Sequence, residues 1–349
     1  MESEHKRGVR IKPMGNTHQE TEQRVTFLKS FSHLLAGATA GMVTAVVTSP
    51  LDVLKTRLQS DFYQSQLKKA NPSLPLYKSS LLHFRETFGI LFSIHRLEGW
   101  RGLFKGLGPS LTGVVPATGI KFYAYGNCKT LFPQILGCEE DTTLVHALSA
   151  ASAGIVTGTA TNPIWLVKTR LQLDKSRMRE SGSLGVPQYR NSLDCVKQVI
   201  RQEGVKGLYR GLAASYLGVI ETTLHLAMYE RMKGFLAKQN ENAVNQDGKR
   251  LNKTTQGIAL SGAAGFSKLL AVLIAYPHEV VRTRLRQAPM ANGRLKYTGV
   301  VQCLRLVWRE EGMVAIYGGL TAHLLRTVPA AMITLGTYEL VLKLLSWPS

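Results

Sequence analysis

Acidic residues are scarce in this chain. Its 349 residues hold 23 Asp and Glu against 43 Lys and Arg, a formal net charge of +20 at pH 7. Such an excess calls for anionic partners or for loops held on one side of a membrane. Cysteine is also scarce. Cys128, Cys138, Cys195 and Cys303 stand at irregular spacings, which offer neither a disulfide framework nor paired zinc ligands. No metal site and no bound cofactor are expected. A Gly-x-x-x-x-Gly-Lys-Ser/Thr loop is missing, which argues against ATP-driven work. No Ser/His/Asp grouping or usable carboxylate pair occurs, so an enzyme is not expected. The positive charge lacks the stacking platforms and base-reading motifs of a nucleic-acid binder. Residues 1–30 lack the apolar core of a secretory signal and are too acidic for an organellar transit peptide. They are expected to form a disordered polar tail. Mean hydropathy is only −0.02. A membrane protein can show so low a value if apolar spans alternate with basic loops and some span faces line a wet cavity.

What is present is a threefold repetition. Pro50-Leu51-Asp52-Val53-Leu54-Lys55-Thr56-Arg57-Leu58-Gln59 returns from Pro163 to Gln172 and again from Pro277 to Arg286. The prolines are 113 and 114 positions apart. A second marker keeps the same beat: Glu98-Gly99, Glu203-Gly204 and Glu311-Gly312, each followed by an aromatic-Gly phrase. The period is too long for the common solenoid units, so the chain reads as one body of three parts.

Each proline motif ends an apolar, small-residue stretch long enough to cross a bilayer with tilt. These odd spans cover about 31–58, 145–172 and 257–286, and Pro50, Pro163 and Pro277 predict a kink in each. Even spans follow at about 108–131, 213–236 and 322–344. Six transmembrane helices result, an all-α membrane fold with short amphipathic helices in the loops. The repeats cover 31–135, 140–240 and 253–347, with a polar loop at 238–254. The basic odd-to-even loops (Lys68, Lys69, Lys78 and Arg85 in the first) all lie on one side, the side that is not translocated.

Pro-x-acid-x-x-base three times, each after an apolar stretch, resembles the mitochondrial carrier family over nearly the whole chain. That resemblance implies threefold pseudo-symmetry, a monomer in the inner mitochondrial membrane, loops in the matrix and both termini toward the intermembrane space. Acid and base three apart share a helix face, and three such ends can form an ion ring that breaks and reforms in alternating access. The family's arrangement implies Asp52 with Lys168 and Glu279 with Lys55. Trp165 replaces the second acid, leaving Arg282 without a partner. Gln59 and Gln172 fall at the family's brace positions, where Arg286 breaks the pattern. At the cytosolic mouth Glu230 and Lys233 complete one motif, but the cyclic pairing retains only Glu339 with Lys129.

Charges at bilayer depth are candidates for function. Arg326, three before Pro329, falls at the family's third contact point; Gly113 falls at the first and Gly218-Val219 at the second. A Gly-aliphatic pair implies a flat slot for a base. Arg326 and Lys121 would hold phosphate, Lys268 would add positive charge, and Glu221 would accept from base or ribose or neutralise a lysine. His225 is expected to be ordinary lining. Lys105-Gly106, Arg210-Gly211 and Gly319 precede helices, where free N–H groups can receive a lipid phosphate; in the family such sites hold cardiolipin. Pro163-Ile164-Trp165 resembles the branch of pyrimidine nucleotide, folate, FAD and NAD carriers. Tyr276-Pro277-His278-Glu279, Ala214-Ser215-Tyr216-Leu217-Gly218 and Leu107-Gly108-Pro109-Ser110-Leu111 resemble the pyrimidine nucleotide carriers within it. The resemblance implies exchange of pyrimidine nucleoside phosphates; folate, FAD or NAD transport, or a transport-inactive scaffold, are the alternatives.

Overall fold

A computed structural model describes residues 15–61, 89–92, 94–96, 99–137, 139, 142–180, 188–247, 253–290 and 294–345. Lys68, Lys69, Lys78, Arg85, Glu98, Cys138 and residues 1–14 of the tail fall outside them. Among the described residues the chain is helical without a strand. The long helices are α1 (Gly15–Leu58), α3 (Leu107–Leu136), α4 (Thr143–Glu180), α6 (Leu212–Asp247), α7 (Lys253–Ala275) and α11 (Leu320–Leu345). Shorter ones lie between them: α2 (Trp100–Leu103), α5 (Ser192–Glu203), α8 (Pro277–Leu285), α9 (Val300–Glu311) and α10 (Met313–Ile316).

Three stretches, Ser32–Leu58, Thr143–Asp174 and Met313–Leu345, are long and apolar enough to cross a membrane. The helices close into a ring. α1 packs on α3 and α11, α4 on α3 and α6, and α6 on α7 and α8. Val272, Tyr276 and Val280 close it against Tyr317, Leu320 and Leu324.

Two expected loops are helical. The tail is helix from Gly15 onward, because no glycine or proline interrupts 16–35 and propagation from the apolar span is cheap once a helix is nucleated. α6 likewise runs to Asp247, well into the expected polar loop. α1 and α4 continue through Pro50 and Pro163. The third motif is broken instead: a turn at Tyr276 separates α7 from α8, and Pro277 takes the first position of α8, where its missing N–H costs nothing.

Beneath each proline motif a loop helix supplies a local core. α5 starts at Asn191, whose side chain accepts from the Asp194 N–H at 2.9 Å. It buries Cys195 and Val199, one turn apart, against Leu166 and Val167. α9 repeats this with Cys303 and Val307 against Val281 and Leu285. In the first repeat Ile94 and Leu103 cover Leu54 and Leu58.

Candidate solute site and gate

The three motif ends meet, and the ring they form is closed. Lys168 Nζ lies 2.9 Å from Asp52 Oδ2, and Lys55 Nζ lies 2.8 Å from Glu279 Oε2. Both expected pairs are therefore present. Arg282 does have a partner, contrary to expectation: its Nη2 donates to Glu279 Oε1 at 2.6 Å, one turn back on α8. With Trp165 in place of a carboxylate, the guanidinium folds onto the nearest acid. Trp165 itself donates to Thr161 Oγ1 at 2.9 Å, and Lys168 Nζ stands 5.3 Å from its ring centre.

The glutamines brace threonines rather than the ion pairs. Thr56 donates to Gln172 Oε1 at 2.8 Å and Thr283 to Gln59 Oε1 at 2.6 Å, each across a boundary between repeats. Gln59 Nε2 also donates to the buried Tyr276 hydroxyl, which donates to Gly318 O. Below this layer lie arginines the sequence reading left without a role. Arg57 Nε donates to Gln172 O, Arg170 Nε to Arg286 O and Arg284 Nε to Gln59 O. Arg284 also grips Glu311 through two bonds of 2.7 and 2.6 Å, and Arg170 Nη1 lies 2.5 Å from Glu203 Oε1. The signal for both was the recurrence itself: arginine seven after each proline, glutamate before each marker glycine.

Gly106, Gly211 and Gly319 hold positive φ of 79°, 75° and 78°. A Cβ would come within 3.1 Å of Lys168 O at Gly106, 3.2 Å of Arg282 O at Gly211 and 3.1 Å of Lys55 O at Gly319. Each glycine therefore lets one repeat's even helix start directly against the next repeat's gate strand of residues. Arg210, expected at a lipid phosphate, is turned inward: it donates to Glu203 Oε2 and to Tyr297 O at 3.2 and 2.6 Å. Lys105 Nζ lies 4.0 Å from Asp174.

The expected solute contacts divide into two groups. Arg326 donates from Nη1 to Asp52 Oδ1, so it is tied to the motif ends; its buried Nε has no partner among the described residues. Lys268 Nζ lies 2.7 Å from Glu221 Oε1, so the added positive charge is neutralised. Lys121 is exposed and makes no ion pair among the described residues. Gly113 is buried, where a Cβ would meet Ile164 at 2.9 Å, and Val219 packs against Gly154. Gly218 faces the His278 ring, whose Nε2 would lie 3.2 Å from a Cβ there. His278 Nδ1 donates to Ala275 O at 2.5 Å, which leaves Nε2 toward Gly218. Sequence reasoning missed this histidine, since it follows the proline at a position where the other repeats carry Leu51 and Ile164. His225 Nε2 is buried without a partner.

Glu230, Lys233 and Glu339 form no ion pair among the described residues, and Glu339 is exposed. No ion pair joins Glu339 to Lys129 among the described residues, so that expected pair is not seen. The Lys55–Glu279 and Asp52–Lys168 pairs tie the three motif ends together in this structure.

Comparison with known proteins gives the following. A family model described as mitochondrial carrier protein matches residues 27–135, 139–240 and 254–349. The chain is 44% identical to the mitochondrial pyrimidine nucleotide transporter RIM2 of Saccharomyces cerevisiae, covering 99% of this chain and 93% of that protein. It is 48% identical to the mitochondrial carrier protein rim2 of Schizosaccharomyces pombe, covering 89% of each. Solute carrier family 25 member 33 of Homo sapiens is 41% identical over 90% of this chain and 94% of its own length.

Proposed function

The chain belongs to the mitochondrial carrier family, and from that premise we propose that it exchanges pyrimidine ribo- and deoxyribonucleoside phosphates across the inner mitochondrial membrane. One relative, RIM2 of Saccharomyces cerevisiae, is named as a mitochondrial pyrimidine nucleotide transporter, and the motif stretches that resemble the pyrimidine nucleotide carriers span all three repeats. The basic loops face the matrix and both termini face the intermembrane space, by the positive-inside argument. Lys121 and Arg326 hold the phosphates, and the base lies toward Gly218, Val219 and His278. Cardiolipin phosphate is received at the helix starts after Gly106, Gly211 and Gly319.

The observation that carries this reading is the shared carboxylate of Asp52. One oxygen serves the gate lysine, Lys168, and the other serves Arg326 at the third contact point. A nucleotide phosphate offers Arg326 two acceptor oxygens that its planar guanidinium can grip together. When phosphate takes Arg326, Asp52 loses one of its two cations and the shut gate weakens. Filling the site and releasing the gate are thereby one event.

Competition for labelled UTP uptake in proteoliposomes tests the solute class. CTP and TTP are expected to compete, and Arg326→Ala to raise KM about tenfold or more, the scale of a charge-assisted bond. Competition by FAD, NAD or folate in place of CTP would reassign the solute. Silence from a folded preparation would leave a membrane scaffold.

A further inference from the structure

The three boundaries between repeats are not closed alike. At the boundary of repeats one and two, Asp52–Lys168 and Thr56–Gln172 meet side chain to side chain. At the boundary of three and one, Lys55–Glu279 and Thr283–Gln59 do the same. At the boundary of two and three neither device exists among the described residues. Trp165 removes the acid, Arg282 turns to its own helix, and Thr169 Oγ1 donates to Trp165 O at 2.8 Å.

Arg286 stands there, at the position where the other two repeats carry glutamine. Its Nη2 donates to Asn162 Oδ1 at 2.7 Å on α4 and lies 3.0 Å from Ser215 Oγ on α6. Its side chain is 6% exposed and no carboxylate pairs with it among the described residues. Asn162 is itself fixed, since its Nδ2 donates to Leu208 O at 2.8 Å. Gly211 leaves room for the chain, with a Cβ there falling 3.0 Å from Arg286 Cγ.

We propose that Arg286 is a gating residue: a neutral-acceptor latch on Asn162 and Ser215 that holds repeats two and three shut in place of the missing ion pair. A guanidinium bonded to an amide and a hydroxyl is held by directed bonds but keeps its desolvation cost. Parting the repeats returns it to water. This boundary is therefore the one at which the gate opens most easily, while the two ion-paired boundaries act as hinges. The inference rests on the carrier reading but not on which solute is carried.

A double-mutant cycle between Arg286 and Asn162 tests it, read both as exchange rate in proteoliposomes and as thermal unfolding in detergent. Asn162→Ala in the native background is expected to change the exchange rate about tenfold and to lower the unfolding midpoint. In an Arg286→Gln background, where the shorter neutral side chain can reach Thr169 as Gln59 reaches Thr283, Asn162→Ala is expected to change the rate less than about twofold. Equal effects in both backgrounds would show that Asn162 acts only through Leu208, and would overturn the latch. If Asn162→Ala does not fold, Ser215→Ala replaces it in the same cycle with the same two outcomes. The unfolding arm involves no solute, so a wrong nucleotide assignment would leave it standing.

Discussion

Each gate carboxylate in this protein serves two cations, and that makes acids and bases unequal. Asp52 is held by Lys168 and Arg326; Glu279 is held by Lys55 and Arg282. Asp52→Asn therefore strands two partly buried cations at once, as does Glu279→Gln. Breaking a buried pair so that charge is left uncompensated costs about 3–5 kcal/mol. Lys168→Met, by contrast, leaves Asp52 its contact with Arg326, and Lys55→Met leaves Glu279 with Arg282. Loss of one charge-assisted bond of that kind costs about 1.5–3 kcal/mol. Arg326 and Arg282 are about one-third exposed, so solvent screening puts the acid variants near the lower end of their range. Thermal unfolding of the detergent-solubilised protein should lower the midpoint roughly 2 °C per kcal/mol, and the acid variants should fall clearly below the lysine variants. Exchange rates should follow the same order. Simple one-to-one pairs would make Asp52→Asn and Lys168→Met equivalent. Equal shifts within each pair would refute the shared-carboxylate reading.

Gly106→Ala, Gly211→Ala and Gly319→Ala should each destabilise the protein by at least about 1–2 kcal/mol, since each combines a left-handed backbone with a close carbonyl. Gly158→Ala, with nothing within 4 Å, should not lower the unfolding midpoint. The thiols of Cys195 and Cys303 lie outside the spans, and burial pushes both up to about 12. At pH 8 both remain protonated, so mass spectrometry should find them unmodified by maleimide until the protein unfolds. Glu221→Gln frees Lys268 from its partner. It should lower KM for triphosphates more than for monophosphates, measured by competition against labelled UTP.

Much of this was legible in the residues. The motif charges pointed to the two ion pairs, because acid and base three apart share a helix face in the first and third repeats and the family resemblance implied which neighbours they would meet. Two pairs met as expected. What was not legible was which second partner each acid would take. Arg326 lies 274 positions from Asp52, and nothing local in the sequence joins a contact-point arginine to a gate aspartate. The folding of Arg282 onto Glu279 was closer to hand, since the three-residue spacing alone permits it. The arginines seven after each proline were in plain view but were given no role. Their burial, with Arg57, Arg170 and Arg284 almost fully enclosed, follows only once Glu203, Glu311 and the neighbouring repeat's carbonyls are placed around them. Gly106, Gly211 and Gly319 were read as lipid sites because a glycine before a helix suggests free N–H groups. Each is also constrained by a carbonyl of the adjoining repeat, 3.1 to 3.2 Å from where a Cβ would stand. The turn at Tyr276 was hidden because Pro277 sits in the same frame as Pro50 and Pro163.

Uptake of labelled UTP into liposomes containing the purified protein, preloaded with unlabelled UTP or left empty, tests the central claim most directly. Fast uptake into preloaded vesicles and slow uptake into empty ones, with the difference lost in Arg326→Ala, is the expected result. Absence of any preload-dependent uptake by a folded preparation would contradict the account.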